Sequence, residues 1–265
     1  MNWIEASLLS ALFLGVYDLC SKHAIQANAV LPVLFLSTVF GAVIWVVLLL
    51  AGAMHPGLLP PALVVGHLTV AQHLELVLKS AIVAASWIFS YFGIKHLPVT
   101  LASPIRSTTP LWTLAGALLL MGERPTWLEL LGVITTLLSF FGLSLAGRLE
   151  GVHFHRDKWV GFLLAGTFLG AISSLYDKYL LNIAHFTVSS VQAWYSIYLV
   201  AMFMPFAIGW KYRWWERHEF QWRWTIPAIA LSLLVSDYLY FSALREPGVM
   251  VSLVISLRRA NALVA

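Results

Sequence analysis

Charge is scarce in this sequence of 265 residues. Its 16 Lys+Arg and 12 Asp+Glu make up 11% of the chain, against about 25% in ordinary globular domains. So few charged groups cannot cover the surface of a compact water-soluble protein. Cysteine is nearly absent: Cys20 stands alone, which excludes an intrachain disulfide and any Cys-x-x-Cys or Cys/His metal set. There is no His-Glu-x-x-His, no Gly-x-Ser-x-Gly and no polar loop long enough to hold an active site, so enzymatic activity is not expected. No cofactor or metal is expected either. The basic residues are scattered between apolar runs rather than gathered in a patch, which suits loops facing anionic lipid headgroups and argues against a nucleic-acid partner. What remains is apolar: 60% of the residues are hydrophobic and the mean hydropathy is +0.83. At about 20 residues per span, the composition describes an integral membrane protein.

Uncharged runs mark the spans. Residues 30–53 and 188–210 carry no charge, and 126–146 carry only Glu129 near one end. Residues 159–175 and 80–94 are shorter but extend through their flanks. Residues 6–25, 99–121, 225–244 and 249–265 each hold at least one charge. The first apolar stretch, 6–17, has Glu5 ahead of it where a signal peptide would be basic, so it reads as a retained helix. The sum is nine transmembrane helices. Strands of a closed barrel would alternate polar and apolar over about ten residues; these runs are unbroken and longer, so the fold class is all-α. Between spans, 54–75 is neutral and rich in proline, and 147–158 is polar. The segment 210–224 interleaves tryptophan with Lys211, Arg213, Arg217 and Arg223, the pattern of an aromatic belt at the lipid–water boundary.

The chain also repeats itself. Leu8-Leu9-x-x-x-Phe13-Leu14-Gly15 returns as Leu163-Leu164-x-x-x-Phe168-Leu169-Gly170, and Ser103-x-x-Arg106 returns as Ser256-x-x-Arg259. The two offsets are nearly equal and flank the polar central loop. Five spans precede that loop, and an odd number forces the second copy into the bilayer upside down, as in many secondary transporters.

The stretch Ser103-Pro104-Ile105-Arg106, the leucine-rich run Leu118-Leu119-Leu120-Met121 ending in Gly122-Glu123-Arg124-Pro125-Thr126, and the glycines Gly132 and Gly142 beyond it resemble the EamA family of the drug/metabolite transporter superfamily. The resemblance implies two repeats of five helices, a central substrate cavity and alternating access without ATP hydrolysis. On this reading residues 1–146 are the first EamA repeat, 147–158 a polar linker and 159–265 the second repeat. After Asn261 the family pattern would finish helix nine and add a second Gly-Glu turn and a tenth helix; these do not follow, so the second repeat is expected to hold four helices with the last cut short. The resemblance also implies cytoplasmic termini. The loop cations point the other way: Lys22, Lys95, Arg148, Arg156, Lys158, Lys211, Arg213, Arg217 and Arg223 fall on one side, but only Lys79, Arg124, Lys178 and Arg245 on the amino-terminal side. Positive-inside reasoning thus places the amino terminus outside, and sidedness stays open.

Charges inside spans need a reason. Arg106 lies between Pro104 and Pro110, which remove backbone donors and loosen the helix. Arg259 is its repeat partner, with Arg258 beside it. Two halves meeting head to tail would bring both guanidinium groups to a shared middle, where the planar fork suits carboxylate or phosphate. The competing reading pairs Arg106 with an acid or snorkels it to a helix end. Asp18 and Lys22 share a helix face at four-residue spacing, and Asp177 follows a tyrosine as Asp18 does. Asp237 lies deeper in its span, beside Tyr238. These three acids are the candidates for proton or ion coupling; the alternative is that such pairs merely close helix ends. Trp87 and Tyr91, four apart, and Tyr238 offer flat walls with one polar handle for an organic solute, or simply pack between helices. His153, His155 and Asp157 lie close together in the central loop, but their spacing is not diagnostic of a metal. Glu123 is expected to play a structural role at a helix junction.

The sequence therefore predicts a multi-pass protein of a cell membrane, of the bacterial inner-membrane kind. Its partners are the lipid bilayer and a small-molecule substrate, and its task is to export or exchange small anionic or zwitterionic metabolites. The alternative is a flippase-like protein that handles lipids or other amphiphiles, which an opening toward lipid would favour.

Overall fold

The computed structural model describes residues 2–55, 57–128, 157–214 and 218–263, with a few positions from 130 to 138. Most of the expected span at 126–146 and most of the loop at 147–158, with His153 and His155, lie outside the described residues. Among the described residues every regular element is a helix. In chain order these are α1 (Trp3–Ile25), α2 (Val30–Met54), α3 (Val70–His96), α4 (Val99–Ser107), α5 (Thr109–Gly116), α6 (Lys158–Lys178), α7 (Val188–Lys211), α8 (Thr225–Arg245) and α9 (Val251–Arg258). Six of them, α6 being counted through its continuation to Ile183, are long and apolar enough to cross a bilayer.

Their ends are set by local chemistry. Asn2 and Glu5 form a capping box on α1, and Thr69 and Gln72 form another on α3, satisfying N–H groups that have no partner within the helix. Asp157 accepts from the Trp159 N–H at 2.8 Å and starts α6. The expected span at 99–121 is interrupted at Thr108, between α4 and α5. Pro110 has no N–H to give the Arg106 carbonyl four residues back, and the Thr109 hydroxyl donates to that carbonyl instead, at 2.6 Å. Beyond α5 the chain widens into a π turn, Ala117–Met121, and stops at Gly122, whose φ of 66° is left-handed backbone that glycine adopts without strain. A second π turn, Tyr179–Ile183, carries α6 past the expected end of its span.

The bundle buries charges within an apolar core and turns large apolar side chains outward. Leu119 and Leu120 are 84% and 79% exposed, whereas Lys79 and Asp177 are each 3% exposed. In water this distribution would be unstable; in a bilayer the outer leucines meet acyl chains and the buried charges meet one another.

Helix pairs come in matched couples. α1 packs along α8 and α3 along α6; α2 packs along α7; α2 also touches α8, as α3 touches α7; α1 touches α9, as α4 and α5 touch α6; and α5 meets α9. Small residues allow the two longest contacts. The Ser86 hydroxyl of α3 donates to the Gly166 carbonyl of α6 at 2.8 Å. A Cβ on Gly166 would lie 2.8 Å from the Ser90 backbone nitrogen, so only glycine fits there. In the α1–α8 seam, the Ser10 and Ser236 hydroxyls each donate to the other residue's carbonyl, at 2.8 and 2.9 Å. Close backbone approach through glycine and serine is how helices associate where lipid removes the hydrophobic drive.

Candidate functional site

Where α1, α3, α4, α5, α6, α7, α8 and α9 converge they leave a cavity of about 350 Å³, the size of a small-molecule site. Eight charged side chains line it: the acids Asp18, Asp177 and Asp237, and the bases Lys22, Lys79, Arg106, Arg258 and Arg259. Five positive charges against three negative leave a surplus of two.

These charges fall into two groups. In the first, the Asp18 carboxylate of α1 binds Arg106 of α4: Oδ1 lies 3.0 Å from both terminal guanidinium nitrogens. Its other oxygen accepts from the Asn261 amide at 2.6 Å. Arg259 donates to the Thr109 hydroxyl at 2.8 Å, so the break between α4 and α5 supplies the residue that seats the second arginine. Next to this group, the Tyr91 hydroxyl lies 2.9 Å from that of Tyr17 and 3.1 Å from that of Ser21.

The second group is more buried. Lys79 Nζ of α3 lies 2.6 Å from Asp177 Oδ1 of α6, and it donates to the Ser173 hydroxyl at 2.5 Å. Asp237 of α8 pairs with Arg258 of α9 and accepts from the Tyr195 hydroxyl at 2.6 Å. Arg258 also donates to the Ser236 hydroxyl at 3.0 Å, and its guanidinium lies over the Tyr240 ring at 4.4 Å. The Tyr240 hydroxyl in turn donates to Asp177 at 3.4 Å, joining the two ion pairs.

Of the sequence-derived candidates, Arg106, Arg259, Trp87, Tyr91, Asp18, Asp177 and Asp237 all line the cavity. Trp87 stacks on Phe203, with ring centroids 6.2 Å apart. Tyr238 does not line it. One residue beyond Asp237 is about 100° around the helix, and the Tyr238 hydroxyl donates to the Ala62 carbonyl in the connection between α2 and α3. Asp18 and Lys22 do not pair with each other: Lys22 donates to the Ile94 carbonyl at 3.0 Å, and Arg106 takes the acid. Lys79 is a correction of another kind. It is no loop residue but sits inside α3, so it leaves the count of loop cations on the amino-terminal side. Its signal was present in the sequence, since Lys79, Val83, Ser86 and Ser90 recur at helical spacing and all face the cavity. Tyr195, Tyr240 and Asn261 were also missed; each is an ordinary residue in an apolar run, and only the packing reveals its partner.

Glu123 sits at the junction after Gly122. Its carboxylate accepts the Val251 N–H at 3.0 Å and the Ser252 hydroxyl at 3.5 Å, capping the first turn of α9. This structural role is the one expected of it.

No curated protein matches the chain. The profile of the EamA-like transporter family matches residues 1–145, more than half of its length and the part that supplies Asp18, Lys79, Trp87, Tyr91 and Arg106 to the cavity. With six helices long and apolar enough to cross a bilayer among its described residues, the chain belongs to the EamA-like transporter family of multi-pass membrane transporters.

Proposed function

We propose that the protein is a carrier for small anionic or zwitterionic organic solutes in a cell membrane, which it exports or exchanges by alternating access around the central cavity. The observation that carries this reading is the charge surplus of the cavity lining: five bases against three acids, with Arg106 and Arg259 in one group. A surplus cation in a low-dielectric hollow is costly until an anion joins it, so the site attracts carboxylate or phosphate.

The moving parts are two inverted repeats, residues 1–146 and 159–265, joined by the linker at 147–158. The matched couples of helix contacts support this division. Exchanging α1, α2, α3 and α4–α5 for α6, α7, α8 and α9 turns α1–α8 into α6–α3, α2–α8 into α7–α3 and α1–α9 into α6 with α4–α5, and leaves α2–α7 and α5–α9 as they are, the pattern expected of a twofold axis in the membrane plane. Asp18, Asp177 and Asp237 are the coupling acids. Each is ion-paired with a base of another helix, so protonating one frees a cation and loosens a contact between helices.

Purified protein in liposomes, assayed for uptake of organic acids and amino acids with and without a proton gradient, tests the proposal. Arg106→Ala leaves the Asp18 charge beside Arg259 and cancels the attraction for anions. Uptake is expected to fall by about tenfold or more, because Asp18, released from Arg106, then neutralises the guanidinium that would hold the anion. Uptake of an anionic solute that Arg106→Ala leaves unchanged rules out this site.

A further inference from the structure

All three carboxylates of the cavity are engaged by cations: Asp18 by Arg106, Asp177 by Lys79 and Asp237 by Arg258. The cations are not all engaged by acids. Among the described residues no carboxylate lies within ion-pair distance of Arg259, and one of its five N–H donors rests on the Thr109 hydroxyl. An ammonium group entering the cavity finds no acid at its disposal. To be paired it must strip a carboxylate from a buried base, leaving that base unpaired. A carboxylate entering the cavity meets a guanidinium with donors to spare.

We infer that the cavity selects small organic monoanions with an apolar body over zwitterions and amines, and that Arg259, not Arg106, anchors the carboxylate. The inference rests on the carrier reading above and narrows its substrate class. Arg106 is already neutralised, both terminal nitrogens sharing one oxygen of Asp18, while Asn261 holds the other. Asp18 thus acts as a built-in counter-ion. The other lining base without an acid, Lys22, donates to the Ile94 carbonyl; the group of Arg106, Arg259 and Asp18 by itself carries one surplus positive charge, which a monoanion cancels, and without Asp18 its surplus is two, which suits a dianion. Trp87, Val83 and Leu233 also line the cavity and provide the apolar wall for the rest of the solute.

A matched series with one phenyl body separates the possibilities: 3-phenylpropanoate, phenylalanine, phenethylamine and 2-phenylsuccinate, added to the full chain in nanodiscs. Thermal stabilisation reads binding to the folded state, and calorimetry gives the affinities. The expected order places 3-phenylpropanoate about tenfold or more ahead of phenylalanine, with phenethylamine inert, since one ammonium is left without its acid. Arg259→Gln is expected to abolish the preference for 3-phenylpropanoate over phenylalanine. Asp18→Asn is expected to turn the preference toward 2-phenylsuccinate, a gain that a misfolded variant cannot produce. Phenylalanine or phenethylamine binding as tightly as 3-phenylpropanoate overturns the inference, as does a preference intact in Arg259→Gln or unmoved in Asp18→Asn. If phenylalanine alone binds and moves, and Arg106→Ala stops it, the carrier reading survives and anion selection does not. If no member of the series binds or moves, both fall.

Discussion

The two charged groups of the cavity are built from the same kinds of residue and do different work. Around Asp177 and Asp237 every cation has its acid, every acid has a second donor, and Tyr240 ties the pairs together; side-chain exposures run from 4% to 14%. Around Asp18 one acid serves Arg106 and Asn261 together, Arg259 has a hydroxyl in place of a carboxylate, and the Arg106 side chain is 27% exposed. A charge-balanced network tied together by hydrogen bonds resists change, although Asp177 Oδ1 and Arg258 Nε have no hydrogen-bond partner within it; a group with a surplus charge is ready to accept a ligand. The Asp177–Asp237 group fastens α3, α6, α8 and α9 to one another, and the Asp18 group is the one proposed to meet the solute.

The largest expected effect tests this division directly. Lys79→Met leaves Asp177 charged and without its cation in the interior, which is expected to cost about 3–5 kcal/mol of stability. The double variant Lys79→Met/Asp177→Leu, which removes both charges, is expected to regain most of that loss. Unfolding in mixed micelles, followed by tryptophan fluorescence, measures both. Arg106→Met is expected to cost clearly less, because Asp18 keeps Asn261 and its side chain is 12% exposed, against 4% for that of Asp177. Equal losses for Lys79→Met and Arg106→Met would erase the distinction between a fastening group and a receiving one.

A smaller pair of variants sharpens the comparison at the level of single hydroxyls. Tyr195 donates to the charged Asp237 at 2.6 Å, so Tyr195→Phe is expected to destabilise by about 1.5–3 kcal/mol, the range for hydrogen bonds to charged groups. Tyr91 meets only the hydroxyls of Tyr17 and Ser21, and Tyr91→Phe is expected to cost about 0.5–1.5 kcal/mol, the range for neutral partners. The same unfolding curves report both, and the reverse ranking would mean that the Asp237 network is the looser of the two.

How far the sequence leads depends on whether a property belongs to one helix or to a pair. The spans are legible because a run of apolar residues is a property of one segment, and the break at Thr108 because Pro104 and Pro110 act on their own helix. The repeat offsets pointed to Arg106 and Arg259 together, and both line the cavity. Partners are another matter. The four-residue spacing of Asp18 and Lys22 suggests a pair, yet a guanidinium on a neighbouring helix wins, because in a bundle interior the closest counter-charge comes from across the seam. Asp237 likewise takes Arg258, the neighbour of the arginine that the repeat singles out. Tyr238 fails for a geometric reason: adjacency in sequence to a cavity acid puts a side chain on a different face. Lys79 fails through a boundary, since a helix that begins at Val70 carries into the bundle a lysine that a shorter span would leave in a loop.

A small effect is expected at Glu123, where the chain beyond α5 meets α9. Its carboxylate accepts the Val251 N–H and the Ser252 hydroxyl in the first turn of α9, the end at which the helix dipole favours negative charge, while Lys178 donates to the Val249 carbonyl just before that turn. Glu123→Gln keeps an acceptor and loses the charge, for about 0.3–1 kcal/mol; Glu123→Ala loses both, for about 0.5–2 kcal/mol. Yet α9 ends in Arg258 and runs directly into Arg259, one for each charged group, so the cap also sets where both guanidinium groups sit. If capping only steadies the fold, 3-phenylpropanoate affinity in Glu123→Ala stays at the parental level while the unfolding midpoint drops. If it holds α9 in register with the cavity, affinity falls while Asp237, fastened by Tyr195 as well as by Arg258, keeps the second group intact. The loss then appears in ligand binding before it appears in stability, which is the order expected when the receiving group depends on one helix end and the fastening group does not.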